Sequence, residues 1–146
     1  MTAGKGPRLP VFVYGTLRPG GRYHASCLHG RTAAEEPARL PDAVLYEGPG
    51  YPYAVEEEGG AVLGDLVTLR PAEYDEVLAL LDRLEGCTPG APDNLYDRGA
   101  RDVLRADGSA VRAWVYFAAG RIARGLRATG TPVPGGEWNA VRADRG

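Results

Sequence analysis

The sequence predicts an α+β fold built on a small mixed β-barrel with flanking helices. Three observations carry that expectation. Short β-branched and aromatic runs alternate with glycine and proline, one amphipathic segment fits a helix, and the length of 146 residues matches one ordinary domain. Such a chain buries roughly two-thirds of its unfolded surface, enough for a core without disulfide staples. Its 21 glycines and 12 prolines are about twice the average share, which means many turns rather than a low-complexity chain.

Residues 1–8 lack periodicity and read as a flexible lead-in, with a domain over 9–138 and a tail over 139–146. Leu-Pro-Val-Phe-Val-Tyr at 9–14 reads as a buried strand stopped by Gly15. Pro19, Gly20 and Gly21 force a loop, and 22–43 read as a short helix followed by an irregular crossing. Strands are expected at 43–47, at 51–57 after the Gly48-Pro49-Gly50 break, and at 61–69 after a hairpin turn at Gly59-Gly60. Two more, 101–105 and 111–117, flank the Asp107-Gly108 hairpin signal; Trp114, Val115 and Phe117 alternate with at least one face in the core.

A helix is expected over 71–85. Pro71 suits its first position, Glu73 places negative charge in its first turn, and Gly86 stops it. Tyr74, Val77, Leu78, Leu81 and Leu84 then share an apolar stripe, opposite Asp75, Glu76, Ala79 and Arg83. Glu85 breaks the pattern: eleven residues after Tyr74 it returns to within about 20° of it, on the stripe. Either a frayed last turn lets it swing to water, or it is held at a core edge with a raised pKa, fit for proton transfer near neutral pH.

A formal charge of −2 excludes a strongly basic nucleic-acid binder and a polybasic membrane anchor. The opening MTAGKGPRLP carries no secretory signal and no segment approaches about 18 apolar residues, so a cytoplasmic location is the default. Cys27 and Cys87 are too few for a disulfide framework. His24, Cys27 and His29 cluster, but zinc wants a further ligand or an open geometry, and no metal is expected. Arg121, Arg124 and Arg127 would share a face of a helix; the glycine and proline beyond them favour an irregular, solvated tail. No heptad or apolar edge sets an oligomeric state.

Two segments carry possible chemistry. Tyr14-Gly15-Thr16-Leu17-Arg18-Pro19-Gly20 follows the first strand, and its glycine lets consecutive N–H groups converge on an anion; a tight turn needing glycine for sterics alone is the alternative. Asp82-Arg83-Leu84-Glu85-Gly86 places two carboxylates three apart on a helix, followed by Tyr96-Asp97-Arg98. Asp82 suits hydrogen bonding better than catalysis, and Arg98 has either acid within its reach, as a surface pair of little energetic weight.

In this order and spacing, Tyr-Gly-Thr-Leu, Leu-Asp-x-x-Glu-Gly, Tyr-x-Arg and Ala-Trp-Val-Tyr resemble the γ-glutamylcyclotransferase-like family, over about Val11 to Trp138. The resemblance implies a cofactor-independent small barrel whose enzymes release 5-oxoproline from γ-glutamyl amines, amino acids or peptides. It implies that Tyr14, Gly15, Thr16 and Leu17 hold the glutamyl moiety and that Glu85 is the general acid/base. Tyr53 (in Pro52-Tyr53), Tyr96 and Tyr116 would line the same cavity. Val133–Trp138 resembles the family's Gly-Asp-Trp segment with Glu137 in place of Asp, and the insertion-like stretch 87–95 borders the expected site.

The expected partner is a small γ-glutamyl substrate. Its own α-amine is tethered to its γ-carbonyl, so the protein mainly folds it into a reactive shape while Glu85 shuttles a proton. Alternatives are a non-catalytic module for carboxylate-bearing molecules, a biosynthetic tailoring enzyme that removes a γ-glutamyl protecting group, and a Cys27-based hydrolase. A carboxylate on an apolar stripe favours an enzyme over a module, because burial without function leaves its cost unexplained.

Overall fold

The computed structural model describes residues 8–15, 17–18, 27–28, 30–49, 51–88 and 91–138. Five strands close into a barrel: β1 (Val11–Val13), β2 (Thr32–Glu47), β3 (Pro52–Leu69), β4 (Tyr96–Arg105) and β5 (Ala110–Ala118), in the order β1-β3-β2-β4-β5. Most neighbours are antiparallel. Closure is parallel, through Val11 opposite Trp114 and Ala54 opposite Phe117, so the barrel is mixed as expected. A 3₁₀ turn (Pro71–Glu73) leads into helix α1 (Tyr74–Leu84), and helix α2 (Gly120–Thr129) follows β5.

Three strands outrun the sequence reading: β2, β3, and β4, which begins at Tyr96 rather than at 101. The segment expected to cross irregularly is the first half of β2, whose pattern is interrupted by Pro37 and Pro41. Proline survives there because β2 pairs with β4 only at Ala38 and Arg39, leaving little ladder for it to break. Gly59-Gly60 is no hairpin turn: β3 runs through it as a bulge, with residues 57–60 opposite Asp42 alone. Asp42 Oδ1 accepts the Gly59 N–H at 3.1 Å, and a Cβ at Gly60 would lie 2.4 Å from the Ala43 carbonyl oxygen. The β2–β3 turn lies instead at the Gly48-Pro49-Gly50 break. The Asp107-Gly108 hairpin forms as expected, with Gly108 at φ +89°.

Alternation along the strands makes two cores. Inward residues, among them Phe12, Leu40, Val62, Leu66, Val103 and Val115, fill the barrel. Outward residues such as Val11, Val13, Val55 and Val67 pack under Tyr74, Val77 and Leu81 of α1, and Ala123 of α2 joins them. Leu84, expected on the stripe, is 36% exposed, because α1 ends there and its last turn overhangs the barrel.

The chain after β5 is more ordered than expected. Residues 120–129 are helical; Arg121 donates to the carbonyls of Pro92, Asp93 and Asn94, and Arg127 to that of Glu56. Beyond α2, Val133 N–H bonds Leu45 O at 2.7 Å, and Trp138 is buried in the barrel interior. Among the described residues no helix is long and apolar enough to cross a membrane. The tail 139–146, and residues 1–7 of the lead-in, lie outside the described residues.

Candidate functional site

Helix α1 delivers its acids by the way it ends. Glu85 is the first residue past Leu84, still near helical angles, and its N–H bonds Leu81 O at 2.9 Å. Gly86 then turns left-handed (φ +64°), and Cys87 N–H bonds Asp82 O at 2.9 Å. This closure keeps Glu85 on the stripe and partly buried; its last turn does not fray to water. Burial, and secondarily the negative charge of Asp82, raise the Glu85 pKa to about 7. No hydrogen-bond donor among the described residues contributes to that shift.

Asp82 is the opposite case. Arg98 grips it with two bonds, Nε to Oδ1 at 2.9 Å and Nη2 to Oδ2 at 3.1 Å, and Tyr116 donates its hydroxyl to Oδ1 at 2.6 Å. Arg98 therefore pairs with Asp82 and not with Glu85. The pair is not a surface one, since both side chains are at least four-fifths buried. Arg98 also lies 4.5 Å over the Trp114 ring.

Four tyrosines feel the Glu85 charge: Tyr14, Tyr53, Tyr96 and Tyr116. Burial raises each of their pKa values first, and Glu85 adds to the shift in every one. Tyr14 donates its hydroxyl to Tyr116 O and accepts the Ala54 N–H at 3.3 Å. Tyr96 donates to Pro52 O at 2.6 Å and stacks on Tyr53, ring centroids 4.8 Å apart. Tyr51, which sequence reasoning missed, completes an aromatic cluster at 5.6 Å from Tyr53 and 6.4 Å from Tyr96. Its adjacency to Tyr53, two residues on, was the available signal.

The bend after β1 meets this cluster through Pro52. A Cβ at Gly15 would lie 3.0 Å from two Pro52 ring carbons, and Gly15 is not left-handed. Glycine is thus favoured there by close approach, since a Cβ would force the Pro52 ring to give by a few tenths of an ångström, rather than by an unusual φ. Arg18 N–H bonds Gly15 O at 3.1 Å to close the turn, and Leu17 is buried in the outer core. Thr16 lies outside the described residues. The remaining predicted site residues, Tyr14, Gly15, Leu17, Tyr53, Glu85, Tyr96 and Tyr116, thus gather around α1's end, Pro52 and the bend.

Cys27 is buried in the outer core, not presented to solvent as a nucleophile would be. His24 and His29 lie outside the described residues, and no group of metal-ligating side chains occurs among the described ones. The stretch 87–95 is closed at its neck by Asn94, which bonds Thr88 N–H at 2.9 Å and Thr88 O at 2.8 Å.

A family model described as gamma-glutamyl cyclotransferase, AIG2-like, matches residues 11–140. Among solved structures the chain is similar to an Arabidopsis thaliana protein, with 28% identity over 94% of this chain and 76% of that one and a TM-score of 0.64. An AIG2-like protein from Mus musculus is 26% identical over 76% of this chain and 77% of that one, at TM-score 0.60. A structure named gamma-glutamyl cyclotransferase shares the fold at TM-score 0.54, with 13% identity over 94% of this chain and 99% of that one. No curated protein sequence matches the chain. With a match that spans the whole barrel together with Asp82 and Glu85, the chain belongs to the gamma-glutamyl cyclotransferase, AIG2-like family.

Proposed function

We propose that the protein is a γ-glutamyl cyclotransferase: it releases 5-oxoproline and a free amine or amino acid from a γ-glutamyl amide, with Glu85 as general acid/base. The observation that carries this reading is the state of Glu85. It is partly buried, near half-ionised at pH 7, without a hydrogen-bond donor among the described residues to hold it ionised, and its charge reaches Tyr14 at the start of the glycine-bearing bend.

The substrate's α-amine is mostly ammonium at neutral pH and cannot attack. Glu85 carboxylate takes its proton. The free amine then attacks the γ-carbonyl carbon of the same molecule, forming the ring C–N bond as the amide C–N bond breaks. Glu85 returns that proton to the leaving nitrogen, and the second proton, which the ring nitrogen sheds on becoming an amide, also ends on the released amine, which departs as ammonium; the carboxylate is regenerated and no co-reactant is consumed. A carboxyl with pKa near the working pH suits both transfers, a contribution of about 10²–10⁴-fold.

The tyrosines have a supporting task. With Tyr14, Tyr96 and Tyr116 each donating to a protein oxygen, their hydroxyls fix the wall and leave the carboxyl as the mobile proton carrier. The bend at 14–17 would receive the glutamyl α-carboxylate on its backbone N–H groups. Assaying 5-oxoproline release from a panel of γ-glutamyl amines, amino acids and peptides tests the reading. Release from at least one is expected; none from any overturns it in favour of a binding module.

A further inference from the structure

Arg18 lies just beyond the bend and has three acceptors on two other parts of the chain. Its Nε donates to Asp65 Oδ2 at 2.7 Å, and its Nη1 to Glu137 Oε2 at 3.1 Å and to Trp138 O at 3.2 Å. Asp65 is 8% exposed and sits opposite Val13, the last residue of β1. Glu137 and Trp138 are themselves anchored. Trp138 is 3% exposed inside the barrel, and the Gly136 backbone presses on β3 so closely that a Cβ would lie 2.2 Å from Ala61 O.

A buried carboxylate inside a strand requires a partner, and Arg18 is the partner this fold supplies. The same guanidinium fixes the turn that Arg18 N–H closes onto Gly15 O. Lysine, a point donor on a flexible stem, cannot reproduce this fork. None of these contacts involves Glu85, so the bend and the proton carrier have separate supports.

We infer that Arg18 is a positioning residue: bridging Asp65 in β3 to the Glu137-Trp138 segment, it holds Gly15 and Leu17 of the bend where a substrate carboxylate would be received. The inference rests on the cyclotransferase reading for what the bend receives, but not for the positioning itself.

The experiment compares Arg18→Gln, Asp65→Asn, their double variant and Arg18→Lys in the full chain. The double variant leaves no buried charge orphaned, Glu137 being half exposed, so it separates positioning from misfolding. Expected are a KM raised about tenfold or more, a kcat within about threefold of wild type, and an unmoved pH midpoint, with Arg18→Lys in between. The double variant should be no worse than the worse single one, because both break one bridge. An intact KM with a fallen kcat, or fully additive effects, overturns the inference. Amide hydrogen exchange at position 18, whose N–H bonds Gly15 O, gives an arm independent of activity. It should quicken about tenfold in the double variant and stay unchanged in Arg112→Gln, which breaks only the exposed pair with Asp102. If the wild type releases no 5-oxoproline, the reaction falls while this arm still decides the positioning; unchanged exchange overturns it.

Discussion

The inside of the barrel and the layer between its outer wall and helix α1 are both closed to water, yet they are made of different side chains. The interior is filled mainly by Phe12, Leu40, Leu45, Val62, Leu66, Val103 and Val115, with Tyr14 and Trp138 as its polar-tipped members. The outer layer mixes valines and leucines with Tyr46, Tyr53, Tyr74, Tyr96 and Tyr116, and its edge carries Asp82 and Glu85. Burying hydroxyls and carboxylates costs free energy unless each finds a partner, and most do. Tyr74 donates to Leu9 O at 2.7 Å, Tyr96 to Pro52 O, and Tyr116 to Asp82. Against that background, Glu85 stands out as the carboxyl whose pKa burial raises into the neutral range. The difference teaches that one core supplies stability and the other spends some of it on a reactive carboxyl.

Glu85→Gln sharpens the contrast most. Turnover should fall by about 10²–10⁴-fold, since the amide matches in shape but carries no transferable proton. The same change should stabilise the protein at pH 8. Between about pH 4.5 and 7 the unfolded chain's Glu85 ionises while the folded one keeps its proton, so wild-type stability falls as pH rises through that window. The gain in the variant is up to about 3 kcal/mol above pH 7 and vanishes below about pH 4, as read by urea unfolding across pH. Phe12→Ala should do the reverse. It removes about 3–5 kcal/mol of stability from the barrel interior while KM of the folded fraction stays put.

Smaller effects come from the partners. Asp82→Asn removes the charge that helps raise Glu85 and leaves Arg98 less neutralised, so the Glu85 midpoint should drop toward 4.5, held above it by burial. The pH–rate profile should shift to lower pH, with about 1–3 kcal/mol of stability lost. Tyr96→Phe should cost about 1 kcal/mol and raise KM severalfold, because Pro52 O loses its donor beside Gly15.

The sequence disclosed those parts of this arrangement that local chemistry dictates. Pro71, the apolar stripe and Gly86 predicted α1, and the stripe's one acid singled out Glu85. Asp107-Gly108 predicted its hairpin because a tight turn is set by a few residues. What was hidden depends on long-range pairing. The prolines of β2 are tolerated only because β4 meets that strand at two residues. Gly59-Gly60 bulges because Asp42, seventeen positions earlier, accepts its N–H. Asp65 sits in the run Val62-Leu63-Gly64-Asp65-Leu66-Val67, where a buried charge signals a partner; nothing local says that the partner is Arg18. Arg121 and Arg127 similarly look solvated until the carbonyls they cap come within reach.

The account turns on the ionisation of one side chain, and site-resolved NMR titration of the Glu85 carboxyl carbon in the wild-type protein measures it directly. The midpoint should lie near 7. A midpoint at the ordinary value of 4.5 would mean a hydrated carboxylate at the end of α1, and the proton carrier at the centre of this mechanism would be absent.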